Sequence, residues 1–287
     1  MATILHQHSS DGPVAILGCV YGNVPALRAC LADARSAGAT LRIFLGDLTG
    51  MCGHSDEVVD LVRAACEVII AGNHEQQAAI GSASCGCGHR DAEDERRSCA
   101  AHAFAMASLS DSRRAWMADL ADSGVVDLPW GRILCCHGSP DRSNEFLYAS
   151  TCDDARLTAW LDATGASVLA CTHTGLPWVR GLPGARLPGA RLPGDRIAVN
   201  CGAAGTPDHD GDAAVHYALL SRSSRGDPEV AIRRVAYDHT AWVEQILGEG
   251  ADARMVETLR TGWKTYGLAN LPEAERHRAA AARATSP

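Results

Sequence analysis

The sequence lacks the features that point to a membrane or to a nucleic-acid polymer. No hydrophobic run approaches the roughly 18 residues that a transmembrane helix needs. The N-terminus has neither the basic region nor the hydrophobic core of a signal peptide. Lys and Arg number 26 against 34 Asp and Glu, for a formal net charge of −8, and no basic stripe is present to bind a phosphate backbone. We therefore expect a soluble, cytoplasmic protein with no membrane or nucleic-acid polymer partner.

The composition is otherwise that of a globular protein. Over 287 residues, 46% are hydrophobic and 21% are charged, which argues against general disorder, a collagen-like repeat and a long coiled coil. The cysteine count of 12 is high, but a secreted disulfide scaffold is normally much shorter. The cysteines therefore indicate a reducing compartment, with some thiols buried as small hydrophobic groups and others available as metal ligands.

Short hydrophobic segments that are typical of strands alternate with helical patterns early in the chain. Residues 14–17, 41–45 and 68–71 are predicted strands, and residues 25–37 and 55–65 are predicted helices. Further strands are predicted at 132–136, 168–171, 197–200, 215–220 and 230–235, with helices at 100–121 and 153–163. Alternation followed by consecutive strands predicts an α/β layered domain with mixed sheets.

Two segments interrupt this pattern inside a single domain predicted over residues 1–262. Residues 81–102 form an insertion that contains Cys and His, and its part at 81–99 is rich in Gly, Ser and charge and is predicted as a loop. Residues 182–196 contain three copies of a five-residue Leu-Pro-Gly-x-Arg repeat, which predicts an expanded hairpin loop rather than a repeat architecture. The remaining residues, 263–287, are predicted as a polar helix or tail.

Polar side chains cluster where the predicted strands end, and this is where open α/β sheets place their sites. Asp47, Asn73, His137 and His173 each follow a predicted strand. A carboxylate, an amide and two imidazoles form a ligand set suited to Mn, Fe, Zn or Co. The sequence therefore predicts a transition-metal site at these strand ends.

The motifs around these residues resemble those of the calcineurin-like metallophosphoesterases, in particular a small bacterial phosphodiesterase branch. The resemblance extends over residues 13–240. The motifs stand in the order Gly46-Asp47, Gly72-Asn73-His74-Glu75, His137-Gly138-Ser139-Pro140, Thr172-His173-Thr174-Gly175-Leu176-Pro177 and Asn200-Cys201-Gly202-Ala203-Ala204-Gly205. The resemblance implies a four-layer αββα sandwich with two central mixed sheets. It also implies metal-dependent hydrolysis of a small phosphorylated or nucleotide-like substrate.

The chain departs from the family pattern at three positions. The family's first motif is Asp-x-His before Gly-Asn, and here Cys19 and Tyr21 stand in place of the Asp and the His. Gly175 replaces the second His of the Gly-His-x-His motif. In the family these three residues bind one metal of a pair, while the other metal takes residues that this chain retains as Asp47, Asn73, His137 and His173. The resemblance thus implies one retained metal site and one altered site.

Three residues near this site carry alternative roles. The resemblance implies that His74 is a general acid for the leaving group, and the alternative is a hydrogen bond that holds a ligand. Cys19 is either a small residue at a strand end or a thiolate ligand. Tyr21 either fills the volume of the missing histidine or binds a ferric ion through its phenolate.

The insertion contains a second candidate metal site. Its Cys and His spacings are compatible with a structural zinc site, and the alternative is a flexible loop over the active site. The candidate zinc ligands are Cys85, Cys87, His89, Cys99 and His102.

The sequence leaves three functions open. The leading hypothesis is a metal-dependent phosphomonoesterase or phosphodiesterase that uses one retained metal site and an altered second site. The second is a non-catalytic protein that binds a metal or a nucleotide on the same fold. The third is an enzyme of altered chemistry, with an iron centre that includes Cys19 or Tyr21.

Overall fold

The computed structural model describes residues 3–182, 196–224 and 226–285. Apart from its two end residues, the predicted repeat-expanded loop at 182–196 lies outside this part of the chain. The described strands, in chain order, are β1 (Ile4–Gln7), β2 (Val14–Leu17), β3 (Leu41–Phe44), β4 (Val68–Ile69), β5 (Ser123–Leu128), β6 (Gly131–Cys136), β7 (Val168–Cys171), β8 (Trp178–Leu182), β9 (Arg196–Asn200), β10 (Val215–Arg222) and β11 (Pro228–Val235).

The strands form two mixed sheets. One has the order β11-β10-β2-β3-β4, in which β2, β3 and β4 are parallel and β10 is antiparallel to both of its neighbours. The other has the order β1-β5-β6-β7-β9-β8, in which β6, β7 and β9 are parallel. The parallel strands of each sheet carry the predicted metal ligands at their carboxyl ends.

Helices cover the outer faces of the sheets and form the connections between strands. The described helices are α1 (Val24–Ser36), α2 (Ser55–Ala65), α3 (Asn73–Ala79), α4 (Ala92–Met106), α5 (Asp111–Met117), α6 (Asp154–Thr164), α7 (His239–Gly248), α8 (Ala253–Thr261) and α9 (Glu273–Thr285), with a short 3₁₀ helix at Leu268–Asn270. No described helix is both long and apolar enough to cross a bilayer.

Alternate residues of the buried strands build separate hydrophobic cores, and these define the layers. Ile16 of β2 and Ile133 of β6 belong to the core between the two sheets. Leu17, the next residue of β2, points to the opposite face and joins the core under α1, α2, α7 and α8. On the outer face of the second sheet, Leu134 packs in one core with Leu157 of α6. This arrangement is the four-layer αββα sandwich that the family resemblance implies, and it confirms the α/β layered domain with mixed sheets predicted from the residue patterns.

The prediction of a loop at residues 81–99 is wrong in its second half, because α4 begins at Ala92. The acidic run that suggested a solvated loop is the first turn of this helix. The side chain of Asp91 accepts hydrogen bonds from the backbone N–H groups of Glu93 and Asp94, both at 3.0 Å. Carboxylates at a helix N-terminus also interact favourably with its dipole.

Three strands escaped prediction from the sequence, namely β1, β5 and β8. β1 has no fully buried residue, and β8 includes the exposed Val179 and Gly181. Neither shows the continuous hydrophobic run that marked the buried strands. The C-terminal segment also differs from a simple tail, because Lys264, Tyr266 and Gly267 line the central cavity before α9 begins.

Candidate metal centre

The predicted metal ligands meet where strands of both sheets end. Asp47 follows β3, Asn73 and His74 begin α3 directly after β4, and His137 and His173 follow β6 and β7. All five side chains are buried. The carboxyl ends of parallel strands thus bring together residues that are far apart in the chain.

Asp47 and His137 form the centre of this group. His137 Nδ1 donates to the carbonyl of Leu45 at 2.6 Å, and its Nε2 lies 3.1 Å from Asp47 Oδ2. Burial lowers the pKa of His137, but the Asp47 carboxylate outweighs it, so the pKa is raised. Burial conversely raises the pKa of Asp47, and the imidazoles of His137 and His74 outweigh it, so that pKa is lowered. A metal ion between these atoms would replace the proton that they share.

His173 completes a pair of imidazoles with one unpartnered nitrogen. Its Nδ1 lies 3.1 Å from His137 Nε2, and its Nε2 is buried without a hydrogen-bond partner among the described residues. Burial, followed by the neighbouring His137, lowers the pKa of His173 to about 3. The ring is therefore neutral, which is the form that binds metals.

Asn73 begins α3 next to this centre, because the backbone N–H of the following residue, His74, donates to Asp47 Oδ1. Its Nδ2 donates to the carbonyl of Cys85 at 2.8 Å, which fixes the orientation of the amide. Its Oδ1 is buried and has no hydrogen-bond partner in the described part of the chain. A carboxylate, an amide and two imidazoles are a donor set that fits a divalent transition metal, and Asn73 Oδ1 and His173 Nε2 have no partner among the described residues.

Glu75 holds the backbone of this centre in place. Its carboxylate accepts hydrogen bonds from the backbone N–H groups of Gly72 (2.8 Å), Asp47 (2.7 Å) and Leu48 (2.8 Å). Gly72 permits this close approach, because a Cβ at that residue would lie only 2.4 Å from Asp47 Oδ1. The sequence analysis gave Glu75 no role, although it stands in the same motif as Asn73 and His74.

Strained backbone is concentrated at this centre. Of six described non-glycine residues with positive φ, four lie here, namely Cys19 (52°), Tyr21 (52°), Asp47 (61°) and His173 (44°). A left-handed conformation costs such residues of order 1–3 kcal/mol each, and it persists only where the surrounding structure imposes it. This conformation occurs at two predicted ligands, Asp47 and His173, and at two positions that depart from the family pattern, Cys19 and Tyr21.

The retained half of the centre comprises Asp47, Asn73, His137 and His173, and the altered half comprises Cys19, Tyr21 and Gly175. Cys19 is buried next to Asp47 of the retained half. Its Sγ lies 3.9 Å from Asp47 Oδ2 and accepts a hydrogen bond from Thr172 Oγ1 at 3.1 Å. Burial, and then the Asp47 carboxylate, raises the pKa of this thiol well above its usual value. Cys19, Asp47 and His137 each offer a ligand atom within 4.8 Å of the others. The thiol is therefore placed to reach a metal but is protonated without one.

Tyr21 and Gly175 occupy the other two altered positions. The ring of Tyr21 packs edge-on against His74, with 5.6 Å between ring centroids. Burial raises the pKa of its hydroxyl well above the usual value, so the phenolate is disfavoured. Gly175 has a φ of +65°, and a Cβ at that residue would lie 3.6 Å from Lys264 Nζ. The space beside Gly175 thus faces a lysine from the C-terminal segment.

His74 contacts the insertion. Its Nε2 lies 3.3 Å from Cys87 Sγ, and its Nδ1 is buried with no partner among the described residues. The sulfurs of Cys85 and Cys87 are 2.6 Å apart. His74, Cys85 and Cys87 form a second group whose ligand atoms all lie within 4.8 Å of one another.

The structure brings only part of the predicted zinc set to this second group. Cys99 Sγ faces Glu95 Oε1 at 3.8 Å, and His102 Nε2 lies 3.2 Å from the carbonyl of Ser82. His89 packs edge-on against Tyr266, with 6.2 Å between ring centroids. Cys85 and Cys87 are therefore placed beside the predicted general acid, and zinc binding by the five residues together stays a prediction.

A cavity of about 730 Å³, part of it open to solvent, leads to the centre. Asp47, His74 and His173 form part of its floor, and Lys264 and Tyr266 line it from the C-terminal segment. The sequence analysis missed both of these residues. A signal was present, because Lys264 is the one lysine in the sequence.

Comparison with known proteins gives a consistent result. The family model of the calcineurin-like phosphoesterases matches residues 12–197. The structure is similar to that of a metallophosphoesterase from Sphaerobacter thermophilus, with 25% sequence identity and a TM-score of 0.65, covering 88% of this chain and 100% of that one. It shares its fold with a hypothetical protein from Pyrococcus horikoshii, at 19% identity and a TM-score of 0.66, covering 88% and 99%. No curated protein matches the chain.

Proposed function

Because the chain belongs to the calcineurin-like phosphoesterase family, we propose that it hydrolyses a phosphoester beside one metal ion held by Asp47, Asn73, His137 and His173. The observation that carries this proposal is the pair of buried, unpartnered atoms Asn73 Oδ1 and His173 Nε2. An unsatisfied buried polar atom costs about 1–3 kcal/mol. A cation shared by the four residues would offset part of that cost and separate the crowded His137 and Asp47.

A divalent transition metal bound here would polarise a phosphoryl oxygen and activate water for attack on phosphorus. The residues of the chain prepare the site for this chemistry. Leu45 fixes the His137 ring through its Nδ1, which directs Nε2 to the centre. Glu75 holds the Asp47 turn through three backbone N–H groups. The positions of the ligands are thus set before substrate arrives.

His74 is the candidate proton donor to the leaving oxygen. Its backbone N–H donates to Asp47 Oδ1 at 3.2 Å, which fixes the start of α3, while its ring lines the cavity. The Nε2 atom of this ring faces Cys87, which belongs to the insertion. A positioned imidazole that transfers a proton in the transition state contributes typically ~10²–10⁴-fold to the rate.

The substrate class we propose is a small phosphorylated or nucleotide-like compound. The cavity is lined by Tyr21, Phe146, Tyr148 and Tyr266. The rings of Phe146 and Tyr148 are nearly parallel, with 5.8 Å between centroids and 5° between planes. Aromatic faces near a phosphate site suit a base or another planar group. A reducing, cytoplasmic location is part of the proposal, and it is supported by the 12 free cysteines.

The test is hydrolysis of p-nitrophenyl phosphate and bis(p-nitrophenyl) phosphate by protein loaded with Mn, Fe, Zn or Co. We expect turnover that a chelator abolishes and that His74→Ala lowers at least ~10-fold with unchanged metal content. His277→Ala is the matched control, because that imidazole is exposed on α9, where it pairs with Glu273. Absence of turnover with all four metals would refute the proposal and favour a metal- or nucleotide-binding protein.

A second candidate function is altered chemistry at an iron centre that includes Cys19. The observation that favours it is the closeness of the Cys19, Asp47 and His137 ligand atoms. Iron–thiolate or iron–phenolate bonding would give the purified protein a visible absorption band. Loss of that band in Cys19→Ser or Tyr21→Phe would support this function, and a colourless iron-loaded protein would exclude it.

A further inference from the structure

The single lysine of the chain occupies the altered half of the centre. A Cβ at Gly175, where the family pattern has its second His, would lie 3.6 Å from Lys264 Nζ and 3.8 Å from Thr206 Oγ1. The ammonium group therefore stands in the direction that the missing histidine side chain would take. Lys264 lies outside the residues 12–197 that match the family model.

The ammonium group of Lys264 is not paired with another side chain in the described part of the chain. Within the described residues, its Nζ forms no hydrogen bond and no ion pair, while the nearby Asp208 pairs with Arg278 at 3.0 Å. Burial lowers the pKa of Lys264, and Cys19, followed by Asp208, opposes that shift.

The backbone that carries Lys264 is fixed on both sides. The N–H of Lys264 donates to His209 Nδ1 at 2.8 Å, and the N–H of Thr265 donates to Thr258 Oγ1 at 3.3 Å. Gly262, which ends α8, has a φ of +73° and packs so closely on Asp212 that a Cβ would lie 2.4 Å from its backbone nitrogen. The backbone of residues 262–265 is thus fixed, and it holds the Lys264 ammonium group where no described carboxylate pairs with it. This leaves the ammonium group available to bind an anionic ligand.

The formal charges of the altered half support the same role. The family pattern combines a carboxylate at position 19 with a divalent cation, for a sum of +1. This chain combines the thiol of Cys19 with the ammonium of Lys264, and the sum is again +1. The imidazoles at positions 21 and 175 are replaced by the neutral Tyr21 and Gly175. The charge presented to an anionic substrate is therefore conserved, although its carrier differs.

We propose that Lys264 Nζ binds a non-bridging phosphoryl oxygen of the substrate and takes the place of the lost metal ion. This inference rests on the proposed function for the identity of the ligand. An ammonium group offers three donors and a full charge to phosphate, and it acts here in a cavity partly shielded from water. A metal ion held by the retained ligands and the ammonium group of Lys264 would then both bind the phosphoryl group.

The first test is binding of inorganic phosphate to the zinc-loaded protein, measured by calorimetry. Lys264→Met removes the charge at nearly constant volume, and we expect it to weaken phosphate binding at least ~10-fold with zinc content unchanged. Lys264→Arg keeps the charge and should retain most of the affinity. Arg278→Met is the matched control, since it removes a cation that pairs with Asp208 and does not line the cavity, and it should bind phosphate like the wild type.

The second test uses the uniqueness of the lysine. Labelling with ¹⁵N-lysine gives one side-chain Nζ resonance, and we expect it to shift on phosphate addition and to saturate at the calorimetric dissociation constant. Equal phosphate affinity of folded Lys264→Met and wild type, or an unmoved Nζ resonance at saturation, would overturn the inference. Phosphate binding that depends on Lys264 in a protein without turnover would support the inference and refute the proposed function. Turnover that is unaffected in Lys264→Met would support the proposed function and refute the inference about Lys264.

Discussion

The retained and altered halves of the centre differ in how their polar atoms are satisfied. On the retained half, Asn73 Oδ1 and His173 Nε2 are buried and have no hydrogen-bond partner among the residues that the structure describes. On the altered half, Cys19 is satisfied by Thr172, and Tyr21 packs on His74. The retained half thus leaves two acceptor atoms for a cation, whereas the altered half already holds the ammonium group of Lys264. The difference fits the proposed roles, in which the retained half binds a metal ion and Lys264 on the altered half binds an anion.

The largest effect is expected from breaking the retained half. His137→Gln removes an imidazole ligand that the Leu45 carbonyl orients. We expect loss of most bound metal and a decrease in hydrolysis of at least ~100-fold. Metal analysis and kinetics on the folded variant measure this, with His277→Gln as the exposed control. A folded variant that keeps its metal and its activity would show that the reacting ion lies elsewhere.

Rebuilding the altered half is expected to have the next largest effect. Cys19→Asp, Tyr21→His and Gly175→His together restore the family ligands, but the Lys264 ammonium still occupies the direction of the new histidine. We therefore expect the triple variant to gain little metal, and the same variant with Lys264→Ala to gain about one ion per chain, with activity rising as two cations hold the phosphate.

Elemental analysis of the two rebuilt variants sharpens the comparison. Position 175 has a φ of +65°, as His173 has one of 44°, so a histidine there costs about 1–3 kcal/mol and remains possible. Thermal unfolding separates this cost from failure to bind metal. Equal metal gain with and without Lys264 would show that the ammonium does not fill the second metal position.

The contrast between Asp47 and Lys264 shows how much the sequence could predict. Asp47, Asn73, His137 and His173 follow hydrophobic runs, so strand ends alone bring them to one edge. The fold class follows from the same pattern. Lys264 reaches the site through the loop after α8, and no local periodicity reports such a long-range contact. The start of α4 was likewise hidden, because acidic residues suit both a loop and a first helical turn.

A moderate effect is expected from Glu75→Gln. Glu75 accepts three backbone N–H groups, and a glutamine amide would turn a donor towards at least one of them. We expect a loss of about 2–4 kcal/mol in unfolding free energy, measured by denaturant titration. Glu67→Gln is the control, since Glu67 accepts the N–H of Arg42 at the surface. Equal stability of both variants would contradict the positioning role of Glu75.

The smallest effect is expected from Cys87→Ala. Cys87 contacts His74 Nε2 at 3.3 Å but is no part of the proposed ligand set. We expect metal content to be unchanged and kcat to change by less than ~3-fold, because the proton donor itself remains. Cys99→Ala, which removes a thiol near Glu95, is the control. Loss of one zinc equivalent specific to Cys87→Ala would instead establish a metal site at His74, Cys85 and Cys87.

The central claim is that one metal ion and the ammonium group of Lys264 together bind the phosphoryl group, as two metal ions do in the family pattern. The most direct measurement is a crystal structure of the zinc-loaded protein with phosphate, in which anomalous scattering locates each ion. The account predicts one zinc bound by Asp47, Asn73, His137 and His173, and a phosphate oxygen within hydrogen-bond distance of Lys264 Nζ. A second zinc on Cys19 beside Asp47, with Lys264 turned away from the phosphate, would contradict it.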